Sequence, residues 1–190
     1  MKLFGRSKFI KIYDNTLTRK ECDILISLFE KSKTYPGECW KDGYSVEDPS
    51  YKKCMEVKGL NFSNGLSIDN IIKSALEKYI IEYRNSFESF QHLCEWKLDD
   101  GYNFQKYETE DDGFKKWHTE HGPGVSAYRM LAWMFYLNNA KSGTEFMHYP
   151  TVNAKEGRLV IWPSGWEYVH RGVPNKGLKY IVTGWASYLE

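Results

Sequence analysis

From Cys94 to the C-terminus the side-chain character alternates every second residue and a turn signal recurs about every ten, a pattern that short antiparallel strands satisfy and helices do not. Cys94, Trp96 and Leu98 alternate with charged residues. Asp99-Asp100-Gly101 supplies turn chemistry, and Tyr102 and Phe104, with Asn103, Gln105 and Tyr107, read as the return strand of a hairpin. Strand candidates follow at Phe114–Glu120, Tyr128–Leu137, Glu145–Tyr149, Arg158–Trp162, Tyr168–Arg171 and Leu178–Leu189. Gly122-Pro123-Gly124, Ser142-Gly143, Glu156-Gly157, Ser164-Gly165 and Pro174–Gly177 separate them. So many short strands leave open edges unless the sheet closes on itself, which points to a sandwich or jelly roll. An aromatic content of 16% suits half-buried pleated surfaces.

The first half obeys a different period. After a strand candidate at Phe9–Tyr13, Thr18 and Glu21 form a capping-box signature, and Cys22, Leu25, Ile26 and Phe29 make the stripe of an amphipathic helix ending near Ser32. From Ser67, the series Ile68, Ile71, Ile72, Ala75, Leu76, Tyr79, Tyr83 and Phe87 keeps one apolar face through a second helix. Between them, Tyr51–Phe62 reads as a strand interrupted at Gly59. No repeat, linker or low-complexity tract divides the 190 residues, so one domain is expected, with 1–93 as helical support and entrance and 94–190 as the core. The expected class is mainly β with N-terminal helices.

Charge and cysteines narrow the partners. Lys plus Arg is 26 and Asp plus Glu 25, a net charge of +1, so no global field attracts nucleic acid. Four scattered cysteines, without a CxxC pair, read as reduced thiols. The chain has no long apolar run, and its N-terminus lacks an apolar stretch with a cleavage site. A cytoplasmic monomer with no membrane partner is the expectation. Trp117, Trp133, Trp162 and Trp166 are assigned to core or pocket wall rather than to base stacking.

The chemistry centres on histidine. His118 and Glu120 stand two apart, on one face if the segment is extended. Two imidazoles and one carboxylate on one side of a metal leave positions open for substrate and oxygen, as a nonheme Fe(II) oxygenase requires. His170, at the end of an apolar strand pair far downstream, fits as the third ligand, with His121 an alternative. Lys179, within the apolar strand Leu178–Trp185, either snorkels from an edge or turns inward to meet an anion. A dicarboxylic acid bridging metal and ammonium would satisfy both ends.

These residues stand in an ordered series. Phe104-Gln105-Lys106-Tyr107, Phe114 to Glu120, Tyr136-Leu137-Asn138, Gly143-Thr144-Glu145-Phe146, Gly157 to Pro163, His170 to Pro174, Lys179-Tyr180 and Trp185 succeed one another, behind an opening helix at Leu17–Phe29. The series resembles the Fe(II)- and 2-oxoglutarate-dependent oxygenases, in their prolyl 4-hydroxylase-like branch. The resemblance implies a double-stranded β-helix, with His118, Glu120 and His170 on Fe(II). It implies Lys179 on the distal carboxylate of 2-oxoglutarate, Tyr107 donating to it and Tyr136 lining the same pocket. It further implies O2 as co-substrate, succinate as co-product and hydroxylation of an unactivated C–H bond, a peptidyl proline first. Glu120 departs from the usual Asp and must fold back to reach a metal, while a carboxylate there argues against a halogenase. Lys179 stands where Arg is commoner, with Arg171 the fallback cation. His148 and Trp185 are candidate substrate contacts, His121 an entrance or supporting residue, and His92 a surface residue. The acidic run Glu108–Asp112 is a candidate lid or a solvated loop. The rival readings are a non-catalytic jelly-roll binding module and an oxygenase acting on another side chain or a small molecule.

Overall fold

The computed structural model describes residues 8–41, 44–64 and 66–189. Its elements run β1 (Lys11–Tyr13), α1 (Arg19–Lys31), β2 (Tyr35–Pro36), β3 (Cys39–Lys41), β4 (Tyr44–Val46), β5 (Lys52–Lys53), β6 (Met55–Val57), α2 (Ser67–Asn85), β7 (Trp96–Tyr107), β8 (Gly113–Phe114), β9 (Arg129–Tyr136), β10 (Gly143–Phe146), β11 (Val152–Asn153), β12 (Arg158–Pro163), β13 (His170–Gly172) and β14 (Lys179–Tyr188). Seven strands form an antiparallel major sheet in the order β1-β12-β9-β14-β7-β6-β2. A minor sheet, β11-β10-β13, faces it and completes the double-stranded β-helix, while β3-β4 and β5-β8 form two small ribbons.

Both faces of the major sheet are covered, and residue parity decides which core each side chain enters. Phe104, Leu131, Trp133, Phe135, Leu159, Ile161, Tyr180 and Val182 pack beneath the helices with Leu25, Phe29, Ile72 and Leu76. Their neighbours Ala132, Tyr136, Val160, Trp162 and Ile181 pack on the opposite face with Tyr107, Phe146 and Tyr168. Helix α1 starts as the capping box requires: Thr18 Oγ1 accepts from Glu21 N, and the Glu21 carboxylate accepts from Thr18 N at 2.7 Å.

The hairpin expected at Asp99-Asp100-Gly101 does not form. Strand β7 runs unbroken for 12 residues, because both of its halves pair with the same partner. Tyr102 opposes Gly184 and Leu98 opposes Ala186, so the turn-prone triplet is absorbed as a bulge opposite Trp185. The Tyr51–Phe62 strand also divides, at Cys54 rather than at Gly59. Lys52–Lys53 pairs with β8, whereas Met55–Val57 joins β7.

Gly184 sits where β14 passes the Trp133 indole, and a Cβ there would stand 2.4 Å from Cζ2 of that ring. Trp133 is fully buried and has no room to retreat. Gly184→Ala is therefore expected to cost about 1–3 kcal/mol through overpacking, read as a lower urea midpoint at unchanged slope.

Candidate active site

The minor-sheet face of three neighbouring strands lines a cavity of about 280 Å³. Parity places Gln105 and Tyr107 of β7, Met134 and Tyr136 of β9, and Lys179, Ile181, Thr183 and Trp185 of β14 on it. His118, Glu120 and His170 close one wall.

The two histidines meet through backbone. His118 and His170 exchange reciprocal N–H to carbonyl hydrogen bonds, each 2.9 Å, forming an isolated bridge that joins the segment after β8 to β13. Each imidazole sets its Nδ1 against a main-chain carbonyl, Lys116 O at 3.1 Å for His118 and Tyr168 O at 2.9 Å for His170. Donation at Nδ1 leaves the Nε2 lone pairs free, the tautomer a metal ligand needs. Glu120 Oε1 faces both, 3.2 Å from Nε2 of His170 and 3.9 Å from that of His118. The three ligand atoms lie within 4.8 Å of one another.

Electrostatics fits the same role. Burial, reinforced by the neighbouring His170, pushes the pKa of His118 down to about 3, so its ring is neutral at physiological pH. Burial acts to raise that of Glu120, but hydrogen bonding and charge from His170, with His118 and Trp185, outweigh it and hold the carboxyl at about 2. A largely buried site offering two imidazoles and one carboxylate suits Fe(II).

Lys179 points inward and is 3% exposed. Its Nζ donates to Ser142 Oγ at 2.9 Å and lies 4.4 Å from the centroid of the Tyr107 ring. Among the described residues no carboxylate partners it, and burial, slightly offset by Cys54, lowers its pKa to about 8. Arg171 is not its substitute: that guanidinium donates to Glu145 Oε2 at 2.8 Å and covers the Trp117 ring.

The remaining expected site residues divide, Tyr107 and Tyr136 lining the cavity and others lying outside it. The Tyr107 hydroxyl donates to Gln105 Oε1 at 2.7 Å, and that of Tyr136 shares a 2.6 Å hydrogen bond with Thr144. Burial raises the pKa of both phenols, that of Tyr136 to about 12, so both stay protonated. His148 is exposed after β10 and does not line the cavity, nor does His121, which is also exposed. Trp133 and Trp162 belong to the two cores and Trp166 is 75% exposed, so the tryptophans of the cavity wall are Trp40 and Trp185. The acidic run is tied down as a turn, with Asp112 accepting from the N–H groups of Glu108 and Thr109. Sequence reasoning missed Ser142, Gln105, Thr144 and Arg129. For Gln105 the signal was available, since it shares parity with Tyr107. Thr144 and Arg129 reach the cavity, and Ser142 reaches Lys179, through tertiary pairings that no local pattern reveals.

The family model described as the 2OG-Fe(II) oxygenase superfamily matches residues 102–187, the stretch that carries His118, Glu120, His170 and Lys179. Residues 102–187 belong to that superfamily. The oxygenase fold is shared with solved structures at low identity. A viral collagen prolyl hydroxylase from Paramecium Bursaria Chlorella virus-1, solved as a 2OG complex, is 16% identical, with 96% of this chain and 98% of that one covered at a TM-score of 0.64. A Trichoplax adhaerens prolyl hydroxylase, solved with a hypoxia inducible factor oxygen degradation domain peptide fragment, gives 14% identity, 95% and 84% coverage and a TM-score of 0.71. A Pseudomonas putida prolyl-4-hydroxylase gives 13% identity, 95% and 94% coverage and a TM-score of 0.69. No curated protein matched by sequence. The oxygenase is a 2-oxoglutarate-dependent dioxygenase that uses Fe(II), 2-oxoglutarate and O2. No helix among its described residues is long and apolar enough to cross a membrane.

Proposed function

We propose that this dioxygenase hydroxylates a prolyl residue of a peptide or protein, with His118, Glu120 and His170 holding Fe(II) and Lys179 binding the distal carboxylate of 2-oxoglutarate. The observation that carries the reading is a buried cation without a carboxylate partner in the same cavity as a His-Glu-His cluster. Burying an unpaired ammonium is costly, and a dicarboxylate that chelates metal at one end relieves that cost at the other. A binding-only module would have no use for both ends of such a clamp.

When bound, iron supplies the oxidising chemistry that couples decarboxylation of 2-oxoglutarate to hydroxylation of a C–H bond. The chain's residues prepare the site for it. His118 and His170 present Nε2 atoms toward Glu120, which contributes one negative charge, and Phe146 and Trp162 wall His170 off from water, their ring centroids 5.5 and 5.2 Å from its own. Tyr107 and Tyr136, protonated at neutral pH, shape the co-substrate end around Lys179 and keep it dry. The β3-β4 ribbon flanks the opening and leaves Trp40 and Tyr44 exposed at 56% and 73%, flat apolar surfaces suited to a proline ring. The Trichoplax relative was solved with a peptide, which supports a peptide here too.

The test begins without oxygen. Fe(II) and 2-oxoglutarate added together are expected to give a visible metal-to-ligand charge-transfer band, and admission of air a slow uncoupled release of succinate. Absence of both overturns the assignment of iron and co-substrate to these residues. Incubation with proline-containing peptides and mass spectrometry then checks the substrate, which is expected to gain one oxygen atom on proline. Addition only to another side chain would refute the prolyl assignment alone.

A further inference from the structure

Glu120 is one methylene longer than the aspartate usual in this superfamily, and a longer carboxylate has freedom that a three-ligand centre cannot tolerate. Bound through both oxygens it would take a fourth coordination position, one that the oxo acid or oxygen needs. The structure divides the two oxygens between different tasks. Oε2 accepts a hydrogen bond from the Trp185 indole N–H at 2.7 Å, while Oε1 is the atom that faces His170. Trp185 is itself clamped. The Arg129 guanidinium lies over its ring at 3.6 Å, donates to the Glu120 carbonyl at 3.3 Å and stands 3.8 Å from Oε2. The Glu120 and Arg129 side chains are 13% and 21% exposed, so water screens these contacts little.

We propose that Trp185 and Arg129 are positioning residues that hold Glu120 to one-oxygen coordination, so that the open positions of the iron centre survive a ligand longer than aspartate. The inference rests on the iron assignment above and adds a role for residues outside the proposed metal-ligand and co-substrate-carboxylate set. It also accounts for Trp185 lining the cavity without treating it as a substrate contact: its N–H is already committed to Glu120. Bulk alone would have been met by phenylalanine, whereas the 2.7 Å contact needs a donor.

The discriminating experiment is a double-mutant cycle on metal affinity, measured anaerobically by calorimetry with Fe(II) and, in parallel, redox-inert Co(II). Trp185→Phe is expected to weaken metal binding by about 10–100-fold, the usual cost of removing an outer hydrogen bond to a ligand, and to shift the charge-transfer band formed with 2-oxoglutarate. In the Glu120→Asp background, whose carboxylate is one methylene shorter and is expected to lose the indole contact, the same change is expected to alter affinity less than about threefold. Arg129→Gln should give a smaller loss in the same direction. Where Trp185→Phe folds poorly by thermal melting, β-benzothienylalanine at position 185 keeps the ring shape and removes only the N–H. Unchanged affinity in Trp185→Phe, or an equal loss in both backgrounds, overturns the positioning role while the iron assignment stands. Failure of the unaltered enzyme to bind either metal refutes both.

Discussion

His170→Ala is expected to lower Fe(II) affinity by more than about 100-fold and to abolish the charge-transfer band with 2-oxoglutarate. Loss of a ligand should exceed the 10–100-fold that loss of a ligand's hydrogen-bond partner costs. The position leaves no substitute. The nearby His121 is exposed, with its backbone N–H donating to Ser164 O, and cannot take over. Because His170 packs against Phe146 and Trp162, its removal also opens space in the core, so His118→Ala, whose side chain is more exposed at 13%, is the companion variant with the same expected outcome. Anaerobic calorimetry on both, alongside thermal melts, separates lost metal from lost fold. Retained affinity in either variant would remove that histidine from the ligand set.

Lys179→Ala should leave Fe(II) binding intact and raise the 2-oxoglutarate requirement by at least about 30-fold, since truncating one member of a buried charge pair costs roughly 2–5 kcal/mol. A kcat close to the unaltered value at saturating co-substrate would assign the loss to binding rather than chemistry. The lowered pKa of Lys179, about 8 in the free site, adds a pH signature. Below that value the ammonium is charged and pairs with the carboxylate; above it the amine is neutral and the pairing is lost. The apparent Kd for 2-oxoglutarate is therefore expected to be flat at acid to neutral pH and to rise about tenfold per unit on the alkaline side. Lys179→Arg, whose guanidinium stays charged, should flatten that limb. An alkaline limb of equal slope in both proteins would mean that another group controls it.

Much of this architecture was legible in the linear order of residues. The change from helical to two-residue periodicity near Cys94 marks where the long strands begin, although β1, β2 and β6 of the major sheet precede it, and parity alone put Gln105 with Tyr107 and Lys179 with Trp185 on common faces. The capping box at Thr18 and Glu21 needed only local chemistry, and it formed as read. Local chemistry misled at Asp99-Asp100-Gly101, where two segments each able to pair with β14 kept the strand continuous and turned the triplet into a bulge. The register of a partner more than eighty residues away overrode turn propensity there.

What the sequence determined by itself was parity, residue type and order: which side chains share a strand face, and that two histidines, a carboxylate and an inward lysine are present to be gathered. Only the tertiary structure decided their relations. The reciprocal backbone bridge brings His118 to His170, and sheet packing strips Lys179 of water with no carboxylate among the described residues beside it. The crossing of β14 past Glu120 gives one carboxylate oxygen to Trp185 and leaves the other facing the histidines. Desolvation and hydrogen-bond direction depend on neighbours distant in the chain, and no local periodicity encodes them.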